Sequence, residues 1–447
     1  METPVAVQLQ SGTNVSSRLN SAWIWDSIGY FGSKVIPGLM GLLSVTVFIR
    51  VLGVTEYGRL AVVLPLLMAI GSASSGWLAQ GILRFHPAAN DDMTKRRNFQ
   101  RAITKGRLHA LGIAAILVAG LLAGFHYRVT SIIISLGFCF ALVAYSVILS
   151  ELQAQFQPVL VLRQEVVRSI ASVVVPLFLI RIIGQKQFEW VILGQAIAYG
   201  FPILLVLRWR DSRSEAEEFT PLPTPDALAT RQTIQQIWRF GWAVGAWLLL
   251  SQLLPVIDRW AIQRFAGYSS AGTYASLYEV SIRSFSFLLF PLTQAAHPRI
   301  MGLSNEGDYA EAYKLIRHSI LSQFLIFIVA FCTAWALAPW ITRHILGFDD
   351  PVAAHMLPVL LTGGFLWQLA LLLHKPMEIA HQTGAMLAGM ALVLVINLIS
   401  CLTLIPLFGY QVAAYILVLS GLCYALFTLI MTRFSILRFT APAANLA

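Results

Sequence analysis

Charge is what this sequence has least of. Asp, Glu, Lys and Arg make up 12% of the 447 residues, about half of the roughly 25% usual in globular chains. With 57% of the residues hydrophobic, there is too little polar surface to cover a water-soluble globule. Cysteine is scarce too. Cys139, Cys332, Cys401 and Cys423 each lie in an apolar run with no metal-like spacing. They read as small packing residues, not as a disulfide framework. Gly-x4-Gly-Lys-Ser/Thr, Gly-x-Ser-x-Gly and His-Glu-x-x-His do not occur. A built-in P-loop ATPase and the common hydrolase and zinc-protease chemistries are thereby excluded. The nine histidines are scattered. No metal, no cofactor and no catalytic residue is expected, and any transport must draw on an ion gradient, the membrane potential or the substrate's own gradient.

What is present, from end to end, is apolar sequence in lengths that cross a bilayer, about 20 residues each. Twelve spans are expected, at about 22–49, 59–84, 107–127, 130–151, 165–183, 188–208, 238–263, 272–297, 317–341, 355–374, 383–405 and 410–433. Breaks fall at polar, turn-rich stretches such as Phe348-Asp349-Asp350-Pro351 and Phe408-Gly409-Tyr410. The fold class is all-α integral membrane.

The net charge of +10 does not point to nucleic acid, because the basic residues are sorted by loop. Most of the 31 Lys and Arg fall on one side, including Lys95, Arg96, Arg97, Arg101, Lys105, Arg208, Arg210, Arg213 and Arg433. The basic side is cytoplasmic, so both termini are expected there. The longest polar stretch, 209–237, carries mixed charges and then Pro221-Leu222-Pro223-Thr224-Pro225, and reads as a solvated linker. The expected organisation is a cytoplasmic tail at 1–21, an N-lobe at 22–208, the linker at 209–237, a C-lobe at 238–433 and a cytoplasmic tail at 434–447. Outward loops are short and leave no room for a folded external domain.

A phrase occurs twice. Arg50-Val51-Leu52-Gly53-Val54-Thr55-Glu56-Tyr57-Gly58 returns in the second half of the chain as Arg264-Phe265-Ala266-Gly267-Tyr268-Ser269-Ser270-Ala271-Gly272. Both read Arg-x2-Gly-x4-Gly, and both lead into apolar runs that end in His-Pro, at His86-Pro87 and His297-Pro298. A repeat offset by nearly half the chain length predicts two related halves. Six spans per half keep the halves in one orientation, so the pseudo-two-fold axis runs along the membrane normal. Within the phrase, Gly53, Gly58, Gly267 and Gly272 suit tight turns. Arg50 and Arg264 are expected to pin helix ends.

Charges inside spans are costly and by default mark a cavity or pathway. Asp26, Tyr30 and Lys34 fall at i, i+4 and i+8 on one face of the first span, with Lys34 about half-way along. Glu279 and Arg283 are four apart and deep in the eighth, where they either lock helices as a neutralised pair or serve a substrate. Asp258 and Arg259 lie nearer the outer end of the seventh. Arg259, Arg84 and Lys375 are read as interface residues reaching for the headgroups.

These residues also carry a resemblance. The first phrase resembles the polysaccharide transporter family, which includes the Wzx O-antigen flippases. That family belongs to the multidrug/oligosaccharidyl-lipid/polysaccharide (MOP) exporter superfamily, with MurJ and the MATE drug exporters. Asp258-Arg259 through Gly267, Gly272 and Tyr274 resembles the family's second half. The resemblance implies two six-helix lobes around a cavity that opens alternately to either side. It implies a flippase of the bacterial inner membrane that moves undecaprenyl-diphosphate-linked oligosaccharide for O-antigen, capsule or exopolysaccharide synthesis. Under it Lys34 and Arg283, with Tyr30, become substrate-binding positions, and Asp26, Asp258 and Glu279 become candidates for coupling or internal pairing. Implied partners are the lipid-linked oligosaccharide, membrane lipids and a glycan polymerase or chain-length regulator; nucleic acid is not among them. Twelve spans are fewer than is typical of MurJ. A MATE-like ion-coupled exporter is the alternative, and a glycan ligase or polymerase is disfavoured by the short outer loops.

Overall fold

A computed structural model describes residues 35–89, 92–124, 129–214, 226–380 and 382–433. It is helical nearly throughout. In order the helices are α1 Val35–Leu52, α2 Val54–Ala89, α3 Met93–Gly124, α4 Val129–Ala154, α5 Pro158–Ile183 and α6 Phe188–Ser214. Then come α7 Ala227–Asn305, α8 Tyr309–Trp340, a π-turn at Ile341–Leu346, α9 Pro351–Leu373, α10 Lys375–Ile379, α11 Thr383–Phe408 and α12 Val412–Met431. Among the described residues, 11 helices are long and apolar enough to cross a membrane. One of them, Ala227–Leu289 in α7, has 63 residues, or roughly 95 Å at 1.5 Å per residue. That is about three bilayer cores. It breaks at Gly267, where φ is 83° and ψ 172°. The chain doubles back there, so α7 supplies two crossings, arms α7a (227–266) and α7b (268–305), and the described residues make twelve.

Several helices reach further into water than hydropathy alone predicts, because polar caps set their ends. Asp226 accepts from the Leu228 amide, Asp308 from that of Glu311, and Asp350 from that of Val352. Each satisfies an orphan donor of the first turn. The Asp226 cap starts α7 at Ala227, within the stretch read as linker, and Asp92, accepting from the Thr94 amide, starts α3 at Met93 instead of 107; α6 also runs on through 209–214. The polar first turns of α3 are tied down from α7, whose Asp226 amide donates to the Asn98 side chain at 2.9 Å.

The two halves repeat one packing scheme. In the first, α2 packs on α3 and α4, α4 on α6, and α6 on α5. In the second, α7 packs on α8 and α9, α9 on α12, and α12 on α11. Large apolar side chains face outward, among them Ile116 at 74% exposed, Trp335 at 69% and Leu407 at 74%. A soluble protein would bury these; here they face lipid, which is as apolar as they are.

The halves meet along α2 and α7a, which run antiparallel with little between their backbones. A side chain at Gly241 would strike the Trp77 backbone, and one at Gly81 would strike Ile237. Gln252 donates to the Ser72 hydroxyl at 2.7 Å. At the Gly58 end of this seam the repeat closes on itself. Gly58 lies against the carbonyl of Tyr268 and the amide of Gly272, and Gly272 against the carbonyl of Val54 and the amide of Gly58. Each contact is the other carried forward by the offset of the repeat, so the pseudo-two-fold passes between the two glycines. The turns flanking them match as well, with φ of 82° at Gly53 and 83° at Gly267.

Candidate functional site

A cavity of about 440 Å³ lies between the halves. From the first half it is lined by Ser44, Val45 and Phe48 of α1, Tyr57, Leu60, Leu64, Pro65 and Met68 of α2, and Gln195 of α6. From the second come Gln252, Pro255 and Arg259 of α7a and Tyr278, Glu279 and Arg283 of α7b. Among the described residues, every charge in the lining belongs to α7.

Those charges form one cluster. Glu279 accepts from Arg259 Nη2 through Oε1 and from Arg283 Nε through Oε2, each at 2.6 Å. Arg259 also donates through Nη1 to the Ala61 carbonyl of α2 at 3.3 Å, and its guanidinium stands 5.0 Å over the Tyr278 ring. Its side chain is 3% exposed, and its Nε has no hydrogen-bond partner among the described residues. Arg283 is the open member, with 41% of its side chain exposed. It reaches towards α1, where Gly41 leaves room for the guanidinium that a Cβ would occupy. Two guanidinium groups on one carboxylate leave a surplus positive charge, presented by Arg283. In a site shielded from water such a charge attracts an anion more strongly than it would at the surface.

Asp258 is next to Arg259 in sequence but points elsewhere, since successive residues of a helix project about 100° apart. It is fully buried in the second half. It accepts from Tyr274 Oη at 2.9 Å, Asn397 Nδ2 at 3.0 Å and Cys401 Sγ at 3.4 Å. Asn397 also donates to the Ser420 hydroxyl at 3.2 Å. The carboxylate thus sits among neutral donors of α7b and α11, with no cation in hydrogen-bond contact among the described residues.

Of the positions singled out from sequence, Asp26, Tyr30 and Lys34 lie outside the described residues. Glu279 and Arg283 are together in the cavity; Asp258 is separate from them. Arg50 donates through Nη2 to the His344 carbonyl in the π-turn after α8, which fastens the end of α1 to the second half. Arg264 is exposed and, among the described residues, lies over the ring of its neighbour Phe265, 5.9 Å away. Arg84 stays at a helix end, 5.8 Å over the Phe240 ring.

Two readings need correction. Arg259 is a buried strut of the cavity and not an interface residue. Its partner Glu279 lies on the far side of the turn, and only the reversal at Gly267 brings them together. Lys375 is also held inside, with a side chain 12% exposed and bonded to Glu378 at 2.7 Å. The second oxygen of Glu378 meets His374 Nε2 at 2.8 Å, and His374 Nδ1 lies 3.3 Å from Tyr424 Oη. The His-x3-Glu spacing at 374–378 was a visible signal for this cluster. For Gln195 and Gln252 the only signal was an amide side chain inside an apolar run.

Among the described residues no group of His, Cys, Asp and Glu is arranged to hold a metal ion.

Comparison with known proteins bears on this arrangement. Residues 24–304 match the family described as polysaccharide biosynthesis protein. No curated protein sequence matches the chain. Among solved structures, it is similar to the lipid II flippase MurJ in an inward closed conformation, with a TM-score of 0.64 at 13% identity, covering 93% of this chain and 90% of that one. It is similar to an inward-facing multidrug resistance MATE family transporter of the MOP superfamily, with a TM-score of 0.63 at 14% identity over 91% and 99%. It is also similar to the Vibrio cholerae MATE transporter VcmN, with a TM-score of 0.54 at 16% identity over 93% and 99%. At these identities the likeness speaks to the fold, which lipid flippases and drug exporters share.

Proposed function

The chain belongs to the polysaccharide biosynthesis protein family, and from that premise we propose that it is a flippase for undecaprenyl-diphosphate-linked oligosaccharide. In this reading it lies in the bacterial inner membrane with both termini cytoplasmic and works by alternating access between its two lobes, 22–208 and 238–433, joined by 209–237. Its product serves O-antigen, capsule or exopolysaccharide synthesis.

The observation that carries the proposal is the sign of the cavity. Arg259, Glu279 and Arg283 leave one positive charge in excess, and Arg283 presents it. A diphosphate or a sugar acid is a suitable ligand for such a group. An exporter of cationic drugs, the alternative that the MATE likeness raises, needs the opposite sign. Lys34 and Tyr30, ahead of α1 in sequence, are proposed to add to the anion site, with the lipid chain left in the bilayer. Asp258 is proposed as the coupling carboxylate, because a buried acid among neutral donors gains most from taking up a proton or a small cation. Asp26 is a second acid proposed for that role, whereas Glu279 is engaged by two arginines.

The test is a strain that lacks this protein and any redundant flippase. Loss of surface glycan, with complete lipid-linked repeat units stranded on the cytoplasmic face of spheroplasts, is the expected result, and the stranded sugar names the substrate. Unchanged glycan with normally sided intermediates overturns the proposal. In the complemented strain, Arg283→Ala and Lys34→Ala are expected to lower export about tenfold or more at near-native protein levels, since a hydrogen bond to a charged group is worth about 1.5–3 kcal/mol. Normal export in both variants removes the two residues from the site.

A further inference from the structure

A second cavity, of about 640 Å³, opens between α2, α3 and α7a, away from the charged cluster. Trp77, His109, Ile113, Gln235, Trp238 and Arg239 line it. Trp77 and Trp238 meet edge to face, with ring centroids 5.1 Å apart. Below the groove α3 and α7a are sealed together. There Ala102 and Thr230 are fully buried, and the Asp226 amide bonds to Asn98. Beyond that seal the cavity opens, and Trp238 is 49% exposed.

The depth of the groove follows from sequence. Along α3, residues 93–109 are largely polar and 110–124 apolar; along α7a the same change comes at 239–243. The groove therefore lies where both helices enter the hydrocarbon, at the level of the headgroups, where Trp residues favour an interface. Trp242, also 49% exposed, lies one turn further in.

Its charge is one-sided. Arg239 and His109 are exposed and make no hydrogen bond or ion pair with any described residue. Arg101 and Lys105 continue the His109 stripe of α3 outward, and Arg231 lies two turns below Arg239 on α7a. No Asp or Glu occurs in 93–124 or in 227–257. A groove of this size, with cations at its mouth and aromatic faces on its floor, fits a phosphate with a short apolar stem.

We propose that this groove is a binding site for the headgroup of an anionic diacyl phospholipid. Arg239 and His109 hold the phosphate, and the glycerol and first methylenes rest on Trp77, Trp238 and Ile113. The site is distinct from the transport cavity and does not depend on what that cavity carries. In the orientation proposed above it faces the cytoplasmic leaflet, whose anionic lipids attract basic groups near the surface.

Native mass spectrometry of the full chain, released from detergent, tests the proposal with three probes: dioleoylphosphatidylglycerol, dioleoylphosphatidylcholine and inorganic phosphate. Phosphatidylglycerol adducts are expected to persist at concentrations where phosphatidylcholine leaves none. Arg239→Gln is expected to raise the phosphatidylglycerol concentration for half-occupancy about fivefold, and His109→Gln to raise it by less. Lys314→Gln, on exposed α8 surface, is expected to change nothing. Equal retention of the two lipids overturns the proposal, as does undiminished phosphatidylglycerol binding in both variants. Inorganic phosphate held as tightly as the lipid shows a free-phosphate site instead and overturns it too. Single conservative substitutions at exposed positions leave packing intact, so a loss of binding is not a loss of fold.

Discussion

On one wall of the cavity stand Val45, Leu64 and Pro65; on the other stand Arg259, Tyr278 and Glu279. Each of these pairs is related by the same sequence offset that relates Gly53 to Gly267. The backbones match, down to a positive φ that agrees within a degree and reciprocal contacts at Gly58 and Gly272. The chemistry does not match: among the described lining residues, one wall is uncharged and its counterpart holds a carboxylate and two guanidinium groups. Turns and helix contacts are constrained by sterics in both halves at once. A side chain facing the cavity answers only to what the cavity holds, so there the halves are free to diverge. The charged wall is the one to test for ligand chemistry, and the glycines are the place to test symmetry.

The largest expected effect falls on that wall. Arg259→Ala removes one partner of a buried ion pair, severs the link to the Ala61 carbonyl and leaves Glu279 with Arg283 alone. Breaking a buried pair from one side costs about 3–5 kcal/mol. Val45→Ala, at the equivalent position, removes only packing, about 1–2 kcal/mol. Unfolding midpoints in detergent measure both. Equal losses would mean that the walls differ in composition but not in the energy they contribute.

How far this was legible in the sequence depends on the distance over which each signal acts. The repeat, its glycines and the number of crossings were readable, because turns and apolar lengths are local. Glu279 and Arg283 were readable as a pair, being one helical turn apart. Arg259 was not: its partner lies several helical turns further along the chain, and nothing local says that the arm beyond Gly267 returns alongside. Asp258 and Arg259 are adjacent, yet one enters the second half and the other the cavity. Which face of α7a packs on α2 decides that, and it is a tertiary fact. Helix ends were misplaced where Asp226, Asp308 and Asp350 extend a helix beyond its apolar run, because hydropathy marks the membrane and caps mark the helix.

The symmetry of the seam is tested next. Gly58→Ala would drive a Cβ into the Tyr268 carbonyl, and Gly272→Ala would drive one into that of Val54. Backbone cannot step aside as a side chain does, so each is expected to cost about 3 kcal/mol, at the upper end of overpacking losses. The two losses are expected to agree within about 0.5 kcal/mol, and the double variant to lose less than their sum, because one displacement of the seam relieves both clashes. Full additivity would show that each clash is relaxed locally and that the glycines do not share one contact.

The smallest effect is the cleanest comparison. Gly53 and Gly267 both have positive φ, and a Cβ on either would meet nothing within 4 Å. Alanine there suffers only the strain of its backbone conformation, about 1–3 kcal/mol, with no packing term to separate the halves. Equal unfolding midpoints for Gly53→Ala and Gly267→Ala are therefore expected even though the side chains around the two turns differ. A larger loss at Gly267 would have one source within this fold: the turn there also sets the return of α7b that brings Glu279 to Arg259, so strain at the turn would reach the charged wall. Export measured in the same two variants separates the cases, because strain that reaches the cluster lowers transport in Gly267→Ala and leaves it intact in Gly53→Ala.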